Sequence, residues 1–159
     1  MNKNLNTRQT LALRYRPKRL SEMVGQSEAV ATVQGYLDRE AAPNAFMLVG
    51  PSGTGKTTMS RLIARHLNCD DLSACEKCES CKAMDRGNDG HPDYTEVNGA
   101  ESGGVDTIRA LIETARYRPT YNLRIIHIDE VHRSTNAAMN SLLKPLEEPS
   151  LQTLSLIHI

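Results

Sequence analysis

Residues Gly50-Pro51-Ser52-Gly53-Thr54-Gly55-Lys56-Thr57 fit the pattern G-x-x-x-x-G-K-[ST]. Such a loop turns several backbone N–H groups onto one polyphosphate. Glycines permit the curl because they carry no Cβ to clash. Lys56 is spaced to reach the β- and γ-phosphates of ATP, and the Thr57 hydroxyl to take one position on Mg²⁺. Thr58 follows and is counted with the nucleotide-binding residues.

A second group lies some seventy residues on. Residues 123–128 read Leu-Arg-Ile-Ile-His-Ile and run into Asp129-Glu130-Val131-His132. An acid at the carboxyl end of a buried parallel strand faces the crevice where such sheets bind ligands. Asp129 is expected to hold Mg²⁺, directly or through water, and Glu130 to orient and polarise an attacking water. Two adjacent acids also suit a helix N-terminus. Their pairing with an intact phosphate loop favours the catalytic reading. His132 reads equally as a surface histidine or as a link to the γ-phosphate, and His127 as a packed core residue.

The chain's four cysteines, Cys69, Cys75, Cys78 and Cys81, form C-x5-C-x2-C-x2-C. Four thiolates complete tetrahedral Zn²⁺ and leave no open position, so the expected site is structural. Clustering in a protein without secretory features favours metal over disulfides. An iron–sulfur cluster uses similar spacing, but no other residue calls for redox chemistry. The segment 69–91 is polar, so a metal would replace the core it cannot build.

The elements that must position these groups follow from periodicity. Ala45-Phe46-Met47-Leu48-Val49 is an apolar run, expected as a strand buried on both faces before the loop. Met59, Leu62, Ile63 and Leu67 place a helix after it, whose N-terminal dipole favours phosphate. Val30, Val33 and Leu37 suggest an earlier helix capped by Ser27, with Gly35 weakening it. Residues 93–97 form a short candidate strand. Ile108, Leu111, Ile112 and Ala115 mark an amphipathic helix. Met139, Leu142, Leu143 and Leu146 mark another, capped by Ser134 or Thr135 and expected to kink or fray at Pro145. Strands alternating with helices predict an α/β parallel sheet.

With 159 residues, 39% hydrophobic and 24% charged, the chain is one domain's worth of ordinary soluble protein. No apolar run nears the ~20 residues of a membrane span. The polar N-terminus lacks a secretory h-region, so a cytoplasmic location is expected. Zero net charge argues against a uniformly basic nucleic-acid binder. Lys3, Arg8, Arg14, Arg16, Lys18 and Arg19 nonetheless concentrate positive charge at the start, either as a solvated arm or for phosphate contact.

Taken together, these motifs resemble the ATPase subunits of sliding-clamp loaders, of the AAA+ class, and among them the bacterial DNA polymerase III gamma/tau subunits. Leu13-Arg14-Tyr15-Arg16-Pro17 and Val24-Gly25-Gln26 are similar to the segment that packs against adenine in that family. The cysteine group is similar to its zinc insertion, and Asp129-Glu130-Val131-His132 with 140–149 to its Walker B box and following helix. The resemblance implies an incomplete AAA+ nucleotide-binding domain over 1–159, holding a zinc insertion at 69–91. It implies ATP, Mg²⁺ and Zn²⁺ as cofactors, with other clamp-loader subunits, the sliding clamp and primer–template DNA as partners, and no membrane. Tyr15, Arg16, Pro17, Val24 and Gly25 would then contact the base.

The resemblance runs to about residue 149 and then departs. Residues 154–159 stand where the family has a strand ending in a Thr or Asn sensor, between the loop strand and the Asp129 strand. His158 is a poor substitute there, and those last residues are open to being non-native. The family's Ser-Arg-Cys finger, last strand, helical lid and collar lie outside the chain. A non-hydrolysing assembly module, a DExH-type helicase and a Holliday-junction motor are the alternative functions. An intact phosphate loop counts against the first, and the cysteine insertion with the Tyr15-Arg16-Pro17 opening counts against the helicase.

Overall fold

The computed structural model describes residues 11, 15–39, 43–87, 90–102, 104–148 and 152–159. Strands β1 (Ala45–Leu48), β2 (Tyr94–Asn98), β3 (Arg124–Asp129) and β4 (Thr153–His158) form one sheet in the order β1-β4-β3-β2. Every pairing is parallel. The longer helices among the described residues are α1 (Ser27–Leu37), α2 (Lys56–Leu67), α3 (Glu79–Asp85), α4 (Val105–Thr114) and α5 (Asn136–Glu147).

Alternation along the strands divides the core into two layers. Ile125, Leu154 and Leu156 pack with Phe46, Tyr94 and the α1 and α2 residues Val33, Leu37, Met59, Leu62 and Ile63. Ile126, Ile128 and Ile157 point the other way, onto Ile108 and Leu111 of α4 and Ala138 and Leu142 of α5. Ile63, Ile108, Ile125, Ile128 and Leu156 are wholly buried. Truncating any of them to alanine would cost about 2–5 kcal/mol.

β4 fills the central slot between β1 and β3, so no gap interrupts the sheet. Its register sets Ser155 against Ala45 and Ile126, and Ile157 against Met47 and Ile128. One strand differs from the expectation of burial on both faces. Phe46 is buried, but Met47 is 63% exposed and Val49 also faces solvent. β1 is an edge strand, and among the described residues no helix covers its Met47 face.

Local signals resolve in the same way. Thr135 caps α5, its side chain accepting from the Ala138 N–H at 3.2 Å. Ser27 is not a cap: it is the first residue of α1, and Gln26 holds the cap position without a side-chain bond. Pro145 sits in the last turn of α5, and the helix runs past it to Glu147, with no early end. Among the described residues no helix is long and apolar enough to cross a membrane.

Candidate functional site

The phosphate loop leaves β1 and enters α2 with the curl its glycines allow. Gly53 and Gly55 take φ of +82° and +92°, left-handed values that strain any side-chain-bearing residue. Thr54 Oγ1 donates to the Pro51 carbonyl at 2.9 Å and braces the turn. α2 starts at Lys56, so the free N–H groups of its first turn open into the loop. Lys56 Nζ donates to the carbonyls of Gly50 at 2.6 Å and Pro51 at 2.9 Å. A phosphate in the loop would give that ammonium a charged partner in their place.

β3 delivers the acids to the same place. Asp129 Oδ2 lies 3.5 Å from Thr57 Oγ1, the hydroxyl donating. A cavity of about 500 Å³ separates loop from acids, lined by Gly50, Ser52, Gly53, Gly55, Lys56, Thr57, Thr58, Asp129, Glu130, His132, His158 and Ile159. Glu130 has a left-handed φ of +49°, and its Oε2 accepts from Arg133 Nη1 at 3.0 Å. That hydrogen bond holds the Glu130 carboxyl below the usual range. The His158 imidazole abuts the Asp129 carboxylate from β4. Burial, with His127 and Lys56 nearby, pushes its pKa down although Asp129 pulls the other way.

A smaller cleft of about 240 Å³ continues from Thr54, Gly55 and Lys56 and is lined by Met23, Gln26, Ala29, Met47, Leu48, Val49 and Met59. Its apolar walls suit the flat face of a base. Val24 and Gly25 flank two of its residues but do not line it, and Val24 is 94% exposed. Tyr15, Arg16 and Pro17 do not reach either cavity, contrary to their expected place. Tyr15 is exposed, while Arg16 and Pro17 lie in a separate cleft with Lys18, Arg61, Arg65 and Asp85. Burial there, with the Arg61 guanidinium nearby, lowers the Arg16 pKa. Gln26, from the segment expected against adenine, lines the cleft, whereas Met23, Ala29 and Met59 were missed because nothing in an isolated methionine or alanine marks a cleft wall. Leu13 and Arg14 lie outside the described residues, as do Lys3 and Arg8.

A space of about 510 Å³ between α4 and α5 has Ile126, Ile128, Leu142 and Ile157 at its floor. No glycine loop lines it, so the nucleotide chemistry is assigned to the phosphate-loop cavity.

The four cysteine ligand atoms all lie within 4.8 Å of one another. Four sulfurs on zinc at ~2.3 Å would sit about 3.8 Å apart, which small side-chain rotations reach from here. Backbone amides already point at the sulfurs. Cys69 Sγ accepts from Cys75 N at 3.3 Å, Cys75 Sγ from Lys77 N and Cys78 N, each at 3.4 Å, and Cys78 Sγ from Cys81 N at 3.4 Å. Left-handed φ at Leu72, Ala74 and Glu76 makes the tight turns that aim them. The donor set fits a closed structural ion. Lys18 and Arg19 pair with Glu76 at 3.5 and 3.2 Å, and Lys18 with Asp85 at 3.3 Å, so this part of the basic arm docks onto the cysteine segment. Arg65, buried in α2, holds Asp85 at 2.7 Å from beneath.

Comparison with known proteins agrees with this geometry. A family model described as DNA polymerase III, delta subunit, matches residues 25–159. The chain is 39% identical over 140 residues to the DNA polymerase III subunit gamma/tau of Mycobacterium tuberculosis, covering 86% of this chain and 24% of that protein. It is 36% identical over 141 residues to the DNA polymerase III subunit tau of Bacillus subtilis, covering 85% and 24%. The chain thus spans about a quarter of the length of these relatives. Among solved structures, a Thermotoga maritima RuvB variant superposes with a TM-score of 0.58 at 20% identity, covering 91% of this chain and 41% of that one. That likeness establishes the fold, a parallel sheet flanked by helices. With the family model matching nearly all of the described sheet and its helices, the chain belongs to the DNA polymerase III, delta subunit, family.

Proposed function

We propose that this chain is the ATP-binding and hydrolysing part of a clamp-loader subunit, acting in the cytoplasm within a hetero-oligomer. ATP would be used to place a sliding clamp on primer–template DNA, whose backbone is read without base specificity. The observation that carries the reading is the convergence of Lys56, Thr57, Asp129 and Glu130 on one cavity.

In this reading the amides of 53–57 cradle the phosphates, and Lys56 exchanges its two carbonyl partners for phosphate oxygens. Thr57 and Asp129 would hold Mg²⁺, which when bound neutralises charge on the β- and γ-phosphates. Glu130 turns from Arg133 to accept a hydrogen bond from water. That water adds to the γ-phosphorus as the bond to the β,γ-bridging oxygen breaks, giving ADP and phosphate. Met23, Gln26 and Met59 would contact the base. Cys69, Cys75, Cys78 and Cys81 would hold Zn²⁺ as a structural ion.

Isothermal titration of the protein with ATP and Mg²⁺, followed by turnover assays, tests the reading. Lys56→Ala should abolish measurable binding. Glu130→Gln should bind ATP but lose about 10²–10⁴-fold in turnover, the usual contribution of a positioned general base. A folded wild type that binds no nucleotide would refute the assignment and leave an assembly module. Strand separation by the full-length protein would favour a helicase instead.

A further inference from the structure

Glu96 is an acid on β2 that no feature of the sequence singles out, and it stands at the centre of a buried polar cluster. Its Oε2 accepts from Arg61 Nη2 at 2.7 Å and Nε at 3.2 Å, and from the Tyr94 hydroxyl at 3.1 Å. His127 Nδ1 lies 3.7 Å from the same oxygen and 2.9 Å from the Tyr94 oxygen. Tyr94 spends its one proton on Glu96, so His127 must carry its proton on Nδ1 and donate to Tyr94. The Glu96 and Arg61 side chains are each 15% exposed, and His127 is wholly buried. Burial alone pushes the Glu96 carboxyl up. The neighbouring His127 and the charge of Arg61 outweigh it and hold the group at about 2.

The cluster's partners lead to both halves of the metal position. Arg61 follows Thr57 by four residues on α2, so the two share a helix face. His127 precedes Asp129 by two residues on β3, so these share a sheet face, and Glu96 stands directly opposite His127 in the β2–β3 register. One carboxylate therefore ties α2 to β3 about one turn behind the point where Thr57 and Asp129 approach. Magnesium demands near-ideal octahedral geometry at ~2.0–2.1 Å, so a shift of α2 by a few tenths of an ångström is felt there.

We propose that Glu96, which touches neither nucleotide nor metal, is a positioning residue that sets the Thr57–Asp129 spacing for Mg²⁺. The inference rests on the nucleotide reading above. It assigns Arg61, Tyr94 and His127 as the struts through which Glu96 acts.

The test is equilibrium binding of a fluorescent ATP analogue to the full-length protein, in EDTA and across a Mg²⁺ titration. Glu96→Gln keeps the shape and removes the charge. The double variant Arg61→Met with Glu96→Met removes both charges, so neither is left buried alone. Both should bind nucleotide in EDTA within about twofold of wild type. Their half-saturating Mg²⁺ should rise on the order of tenfold, as when a metal ligand loses its supporting shell. If Glu96→Gln fails to fold, the double variant decides. An unchanged Mg²⁺ requirement in a folded variant overturns the proposal, as does equal loss of binding with and without Mg²⁺. A wild type without Mg²⁺-dependent binding fails the nucleotide reading itself. A wild type that shows it beside unaffected variants fails this inference alone.

Discussion

Thr57 Oγ1 and Asp129 Oδ2 lie 3.5 Å apart across a chain separation of 72 residues. In the proposed reading these two oxygens, one neutral and one anionic, would form one edge of the Mg²⁺ site. Replacing Thr57 with valine keeps the volume and removes the oxygen. Thr57→Val should therefore bind ATP in EDTA about as wild type does, yet gain little from added Mg²⁺. A calorimetric Mg²⁺ titration at fixed nucleotide reads the difference. An undiminished Mg²⁺ response would show that the hydroxyl is not a ligand.

Glu130 is held by Arg133, three residues along the same turn, and both side chains are largely open to solvent. Exposed pairs of this kind are weak and screened by salt. Arg133→Ala should leave the fold intact and keep maximal turnover within about fivefold of wild type. Its signature is in pH. In the proposed mechanism Glu130 would have to be ionised to polarise water, and Arg133 holds its pKa down. Without Arg133 that pKa rises, so the acid limb of the pH–rate profile moves to higher pH. A profile that does not move would mean the pair opens before the chemical step.

Much of this site was readable in the residues because each motif is local. The loop 50–57, the acids at the end of an apolar run and the clustered cysteines declare their chemistry within a few positions. Parallel pairing followed from strands alternating with helices, but the tail's place beside β1 required the family resemblance, since a short apolar run does not name its neighbours. Glu96 was illegible for a different reason. In Tyr94-Thr95-Glu96-Val97-Asn98 it reads as an ordinary strand acid, and its partners Arg61 and His127 come from α2 and β3. Arg16 is likewise placed by distant residues, since its cleft is walled by Arg61 and Arg65 of α2 and by Asp85 of α3.

His158 occupies the end of β4 with Nε2 against the Asp129 carboxylate, and its buried Nδ1 has no hydrogen-bond partner among the described residues. Burial lowers its pKa although that carboxylate pulls the other way, and in the proposed Mg²⁺ site the ring would crowd Asp129. Asparagine is smaller and offers both a donor and an acceptor. His158→Asn should strengthen Mg²⁺-dependent ATP binding by about threefold to tenfold, the ~1 kcal/mol scale of one polar contact. It should also reduce acid sensitivity. A histidine whose folded pKa lies below its unfolded value destabilises the native state as pH falls through about 6.5, where the unfolded chain takes up the proton. Thermal melts at pH 5.5 and pH 7.5 should show a smaller gap for the variant. An equal gap would assign the acid sensitivity to His66 and His91, which burial also lowers.

The cysteine cluster makes a further pH prediction, read in metal affinity. In the metal-free protein burial pushes the Cys81 thiol up to about 12, so at neutral pH it carries its proton. Zinc binds thiolate, and its uptake must therefore release protons. Apparent affinity should rise with pH and fall on acidification, by up to tenfold per pH unit for each proton released. Zinc added to weakly buffered protein with an indicator dye would count those protons directly. Cys75→Ser should bind zinc far more weakly, and chelation should raise amide exchange in α3 while the β1-β4-β3-β2 sheet stays protected. That division follows from the packing: α3 rests on the cysteine turns and on the Asp85 pairs with Arg65 and Lys18, whereas the sheet has its own two apolar layers. Zinc uptake without proton release would mean the thiolates exist before the metal arrives. Failure to retain any metal would leave the four sulfurs as a reduced, hydrogen-bonded knot.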